Sequence, residues 1–225
     1  MPPKTKVLIF DVNETLLNLS KIRISINEAL GSEAAFSIWF STLLHYSLVE
    51  TISGTYHTFG EIGKATLLMV ARNFKKSFTD YKAECIIKMM TELPAHTDVI
   101  DGLTMLQNAG YRMFALTNSS LPAAKEQIKY AGIDTFFQQI YSVDEFKVFK
   151  PHPKTYLGAA QNLGVMPEDC IMIAAHAWDL AGAKKAGLVT AFIERNGQSI
   201  YPLSPVHDFT GQDLKRIAEQ LIKPL

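Results

Sequence analysis

Four polar clusters, each directly behind an apolar run, hold the side chains of this chain that could do chemistry. Asp11, Asn13, Glu14 and Thr15 follow VLIF; Thr117 and Asn118 follow RMFAL; Lys150 sits in the turn after QIYSVDEF; His176 and Asp179 follow CIMIA. A carboxylate, a hydroxyl-amide pair, a cation and an imidazole with a second acid are the parts of a nucleophilic or acid-base site. Taken singly, each is also ordinary turn chemistry: an aspartate behind a strand serves equally as a turn or helix cap, and Asn118 as a turn residue. Taken together, at the ends of successive strands, they describe one crevice.

The elements that must position these groups are legible from periodicity. Short apolar runs at Val7–Phe10, Arg112 to Leu116, QIYSVDEF, Cys170 to Ala174 and VTAFIER read as five strands. Helical patterns closed by Gly110, Gly132 and Gly187 separate them, with a Pro-bounded helix from Pro153 to Leu163 and an amphipathic tail helix from about Gly211 to Ile222. Strands alternating with helices predict a doubly wound parallel sheet, whose right-handed crossovers bring all strand ends to one edge. Between the first and second strands, residues 20–93 read as consecutive helices. Phe36, Trp39, Phe40, Leu43 and Leu44 fall at helical spacing there, as do Ile62, Thr66, Met69 and Val70. The expected organisation is an α/β Rossmann-like core, residues 1–17 and 95–225, carrying an inserted helical cap, residues 18–94. Gly54 and the TYHTFGE segment break the cap helices and are candidates to face the cleft.

Bulk composition narrows the partners. In 225 residues, Lys plus Arg and Asp plus Glu each total 22, so no net charge draws the chain to nucleic acid or another polyanion. No apolar stretch approaches the ~20 residues of a membrane span. Cys85 and Cys170 are too few and too far apart for a metal cluster or a disulfide scaffold. The MPPKTK start lacks a signal-peptide cleavage pattern, and a reduced, cytoplasmic setting with a small-molecule substrate is the expectation.

The order and surroundings of the four clusters resemble the haloacid dehalogenase superfamily of hydrolases, with FDVNETLL, FALTNSS, the lysine of FKP and AAHAWD as its four motifs in order. SVDEFKVFKPHPKTY and HAWD are most similar to the corresponding segments of L-2-haloacid dehalogenases. The resemblance implies that Asp11 attacks carbon 2 of a 2-haloacid and displaces halide to form an ester, with Lys150 keeping it ionised. It implies that Thr15 and Thr117 hydrogen-bond the nucleophile or the substrate carboxylate, and that Asn118 lines the halide or carboxylate site. Tyr156, Leu44, Phe59 and Trp178 match substrate-pocket positions, with Asn13 among the substrate-facing residues. No cofactor or metal is implied, and dimerisation through the cap helices is.

Three departures from the family pattern carry information. Trp39 is followed by Phe40 where the family has an arginine, so halide must be held differently or the substrate differs. The fourth motif has Ala174 and His176 where serine and asparagine are usual, and Glu14 stands where many relatives have glycine. Histidine can deprotonate water near neutral pH whereas asparagine has no useful basicity, so the last two changes are expected to be linked. Glu14 would bind one ring nitrogen of His176 and leave the other facing the ester, with Asp179 positioning water or orienting Lys150. The competing reading is a Mg-dependent phosphatase. Asn13 cannot protonate a leaving alkoxide as the aspartate usual there does, and Ala175 replaces a metal-binding carboxylate. A non-catalytic binding protein on the same fold is the third reading.

Overall fold

The computed structural model describes residues 7–223; MPPKTK, and with it the signal-peptide reading, lies outside them, as do residues 224–225. Six parallel strands, β1 (Val7–Phe10), β2 (Arg112–Thr117), β3 (Gln139–Ser142), β4 (Cys170–Ala174), β5 (Val189–Ile193) and β6 (Phe209–Gly211), form one sheet in the order β3-β2-β1-β4-β5-β6. β1 is central, pairing Phe10 with Ala115 on one side and with Ile173 on the other. The order reverses between β1 and β4, and open α/β sheets hold ligands in the crevice at such a switch point.

Alternation along β1 explains why it is apolar throughout. Leu8 and Phe10 enter one buried cluster and Val7 and Ile9 the other, because successive side chains leave opposite faces of a strand. The first face is covered by α5 (Val99–Asn108) and α9 (Leu214–Ile222), through Leu103, Leu106, Leu214 and Ile217. The second is covered by α7 (Pro153–Leu163) and α8 (Ala177–Lys185), through Tyr156, Ala159, Leu180 and Ala183. The remaining core helix, α6 (Leu121–Tyr130), connects β2 to β3.

Between β1 and β2 run four helices, α1 (Ser20–Leu30), α2 (Ala35–Ser53), α3 (Phe59–Asn73) and α4 (Asp80–Lys88). Gly54 adopts φ 74° and ends α2, while Thr58 and Glu61 form a reciprocal cap that starts α3. The outgoing and returning chains touch where they cross: Asn18 N donates to Pro94 O at 2.8 Å, and His96 N to Leu16 O at 2.9 Å.

The structure corrects the sequence reading in four places. QIYSVDEF is a strand only to Ser142, since the Ser142 hydroxyl accepts from Asp144 N and turns Val143–Glu145 into a single 3-10 turn. The tail helix starts at Leu214, capped by Asp213, and the residues before it supply the sixth strand. That strand is three residues long at the sheet edge, too short to show a period. On α3 the buried face runs through Ile62, Gly63, Thr66, Leu67 and Val70, leaving Met69 exposed.

Candidate active site

Asp11 leaves the end of β1 with its backbone N still bound to Ile173 O of β4, which aims the carboxylate into the switch point. It is 4% exposed. Oδ1 accepts from Lys150 Nζ at 2.8 Å, and Oδ2 accepts from the Thr15 hydroxyl at 2.6 Å and faces His176 Nδ1 at 3.1 Å. Thr15 is held in turn by Ala175 N at 2.9 Å. Burial alone would raise the Asp11 carboxyl; Lys150 and His176 overcome it and hold the group well below the usual carboxylate range.

Lys150 is enclosed, and its ammonium is shared among Asp11, the Leu116 carbonyl at 2.9 Å and Asp179 Oδ2 at 2.6 Å. Burial works against its charge, and the two carboxylates more than restore it. The loop carrying Lys150 is seated by Asn118, whose Oδ1 accepts from Lys150 N at 3.0 Å, and by Gly182 of α8. A Cβ at Gly182 would meet Pro151 at 2.5 Å, so only glycine admits this approach. Asp179 takes a further bond from the Tyr156 hydroxyl at 2.5 Å; burial and the nearby Asp11 charge push its carboxyl upward despite Lys150.

His176 is 4% exposed and lies between two carboxylates, with Nδ1 on Asp11 and Nε2 on Glu14 Oε2 at 2.9 Å. Burial would lower its pKa; the bonds and charges of Asp11 and Glu14 raise it to about 9. Phe40 and Trp178 stack on the ring, with centroids 6.3 and 5.2 Å away. Glu14 itself sits at φ 59°, a left-handed backbone that side chains rarely adopt. Its carboxylate also receives Gln198 Nε2 at 3.1 Å and Arg23 Nη2 at 3.5 Å.

The structure therefore gathers Asp11, Glu14, Thr15, Lys150, His176 and Asp179 into one bonded cluster. The residues expected to face substrate divide. Tyr156 is fully buried and bonds Asp179, so it braces the cluster. Thr117 Oγ1 accepts from Ser119 N, and the Asn118 oxygen is spent on the Lys150 backbone. Asn13 donates to Ser119 Oγ and accepts from Gln127 Nε2. Leu44 of α2 is half-buried against the same cluster as Trp39 and Leu43. Phe59, with Trp39 and Ser119, lines a cavity of about 170 Å³ between α2, α3 and α6, while Glu14, Arg23, His96 and Gln198 line a polar one of about 590 Å³. Asp11 lines neither.

Sequence reasoning passed over several contributors. Arg195 donates twice to Thr15 O and once to Asp98, fixing the 11–15 turn from the end of β5. The strand-end rule that picks out Asp11 applies equally to VTAFIER. Tyr56 donates to Asp144, and its ring stacks on Phe149, whose N donates to Thr51 at 3.0 Å; this ties the TYHTFGE segment to the chain leading into Lys150. Arg23 and Gln198 carry no local signal.

The model of haloacid dehalogenase-like hydrolases matches residues 5–187. The chain is 28% identical over 199 residues to (S)-2-haloacid dehalogenase 4A of Burkholderia cepacia, covering 88% of this chain and 86% of that one. A dehalogenase solved with an intermediate complex shares 25% identity at a TM-score of 0.89 over the full length of both chains. The L-2-haloacid dehalogenase of Xanthobacter autotrophicus with chloropropionic acid covalently bound shares the fold at a TM-score of 0.89 and 20% identity, over 96% of this chain and 98% of that one. A match over residues 5–187, most of the chain, establishes the family. The chain belongs to the haloacid dehalogenase-like hydrolases.

Proposed function

We propose that this chain is a hydrolytic dehalogenase that converts a small (S)-2-haloalkanoic acid to a 2-hydroxy acid through an ester on Asp11. One observation carries the reading: an ionised carboxylate, held by a buried ammonium on one oxygen, meets an imidazole on the other. In the first step the Asp11 carboxylate attacks carbon 2 and halide leaves with the bonding pair. In the second, water attacks the Asp11 carbonyl carbon with His176 as base and Glu14 holding the ring, regenerating the carboxylate. The relative from Burkholderia cepacia, named for (S)-2-haloacids, supports this substrate class.

A phosphatase reading finds less support in the side chains. The Asn13 amide is committed to Ser119 and Gln127 and offers no acid to a leaving alkoxide. Each carboxylate oxygen of Asp11 and Asp179 already faces a donor: Lys150 Nζ takes one from each, and Thr15 with His176, and Tyr156, take the others.

We take residues 18–94 as a cap that moves to admit substrate, hinged where Asn18 and His96 pair with the crossing chains. The outer face of α2, with Ile38, Tyr46, Val49 and Ile52 exposed, suits a second copy of the chain. The two free cysteines, Cys85 exposed and Cys170 buried, fit a reducing cytoplasm. No helix among the described residues is long and apolar enough to cross a membrane.

The test is turnover of chloro- and bromo-2-haloacids, and separately of a phosphate monoester with Mg, each with and without chelator. Halide release unaffected by chelator is expected from the wild type, none from Asp11→Asn, and an Asp11 ester detectable by mass in His176→Asn. Halide release from Asp11→Asn overturns the covalent mechanism; chelator-sensitive phosphate release in place of halide release overturns the reaction class.

A further inference from the structure

Both ring nitrogens of His176 face carboxylate oxygens, Nδ1 on Asp11 at 3.1 Å and Nε2 on Glu14 at 2.9 Å. Ionised carboxylates only accept hydrogen bonds, and a neutral imidazole has one N–H to give. A neutral ring would set a bare lone pair against one of the two anions in a buried site. Only the doubly protonated ring satisfies both.

We infer that His176 is an imidazolium while Asp11 is free and becomes a base only when Asp11 is esterified, so that forming the ester itself arms the step that breaks it. The inference rests on the proposed dehalogenase reading and assigns His176 a different role in each half of the reaction. In the free protein the cation helps Lys150 hold Asp11 ionised, and it presents a positive charge beside the bond from which halide departs.

Alkylation removes the negative charge at 3.1 Å while Glu14 keeps its hold on Nε2. The groups facing the ring are few: Asp11 and Glu14 from the turn after β1, Phe40 from α2, and Trp178 from its own helix. The next charges are Lys150 behind Asp11, Arg23 behind Glu14, and Asp179 across Lys150. Loss of one adjacent opposite charge lowers the pKa of a cation by about 1–3 units. From about 9, that brings the ring into the neutral range, where an efficient base belongs.

The protons balance. Ester formation expels halide; the Nδ1 proton then leaves to solvent, completing the release of one acid equivalent per turnover. Water gives its proton to Nδ1 as its oxygen bonds to the Asp11 carbonyl carbon. Collapse breaks the bond from that carbon to the substrate oxygen, which takes the proton from Nδ1. The new Asp11 carboxylic acid passes its proton to Nδ1, restoring carboxylate and imidazolium. Stacking on Phe40 and Trp178 keeps the ring in place through both roles.

The experiment is nitrogen NMR of protein labelled at histidine, wild type against Asp11→Asn, whose amide removes the charge as the ester does, with His176→Gln to assign the signal. Expected are two protonated ring nitrogens in the wild type at pH 7 and a titration in Asp11→Asn at least one unit lower. A neutral His176 ring in the wild type at pH 7, or the same titration in both proteins, overturns the inference. Should Asp11→Asn fail to fold, Glu14→Gln removes the other anion and must lower the titration likewise; an unchanged titration there is equally fatal. The readout needs no halide release, so failure of the dehalogenase reading is separately visible.

Discussion

Nε2 of His176 lies 2.9 Å from Oε2 of Glu14, a residue 162 positions earlier whose backbone occupies the left-handed region at φ 59°. Glycine would hold that turn without strain, so the position keeps a costly residue whose side chain binds His176, Gln198 and Arg23.

Comparing two truncations separates these effects. Glu14→Gly and Glu14→Ala lose the same carboxylate, and both are expected to turn over slowly with ester accumulating on Asp11. Glu14→Gly should be the more stable by about 1 kcal/mol, because alanine retains the left-handed penalty. Urea denaturation of the pair measures it, and equal midpoints would remove strain from the account.

Lys150 is the shared cation of two buried acids. Lys150→Met removes the ammonium shared by Asp11 and Asp179, leaving Asp11 to Thr15 and His176 and Asp179 to the Tyr156 hydroxyl, with an expected loss of about 3–5 kcal/mol and no activity. Adding Asp179→Asn should recover part of the stability and none of the activity. The double variant melting no higher than the single one would mean that the acids are not coupled through the lysine.

Stability should fall as pH rises from neutral. His176 has a folded pKa raised to about 9, above the ordinary value of 6.5, so between these values the folded state binds more protons than the unfolded one. Its contribution, on the order of a few kcal/mol, is complete below pH 6.5 and is lost as pH passes through 9. Melting temperature followed from pH 6.5 to 9.5 should drop more steeply in the wild type than in His176→Gln. Parallel curves would count against it.

Tyr56 fastens the segment between α2 and α3 to the chain leading into Lys150. Tyr56→Phe keeps the stack on Phe149 and removes the bond to Asp144, so a stability loss of about 1 kcal/mol is expected, with faster amide exchange at Thr51 and Phe149 and a raised KM for the 2-haloacid. Unchanged exchange there would show that the contact does not hold this segment in place.

How much of this was readable beforehand follows from range. VLIF, RMFAL and CIMIA announce buried strands by local composition alone, and a polar residue directly behind each announces a strand-end side chain. β6, three residues long, carries no period and was missed. Tyr156 matched a pocket position by its motif, yet the turn of α7 sends its hydroxyl to Asp179. Whether a helix residue faces cleft or core depends on what packs against it, which spacing leaves open.

Sequence alone determined the parallel α/β core, the helical insertion, and the residue types gathered at one sheet edge, because strand period and crossover handedness are local rules. The motif resemblance anticipated Lys150 beside Asp11 and Glu14 on His176; tertiary structure decided the distances and the supporting partners. That Lys150 bridges Asp11 and Asp179 at hydrogen-bond distance, that Arg195 anchors the Thr15 turn, and that His176 lies between two carboxylates depend on strand order 3-2-1-4-5-6, which brings the ends of β3, β1, β4 and β5 to one edge. Ångström-scale pairing between residues on different strand ends, 29 to 180 positions apart, is set by sheet register and packing, and no local pattern encodes it.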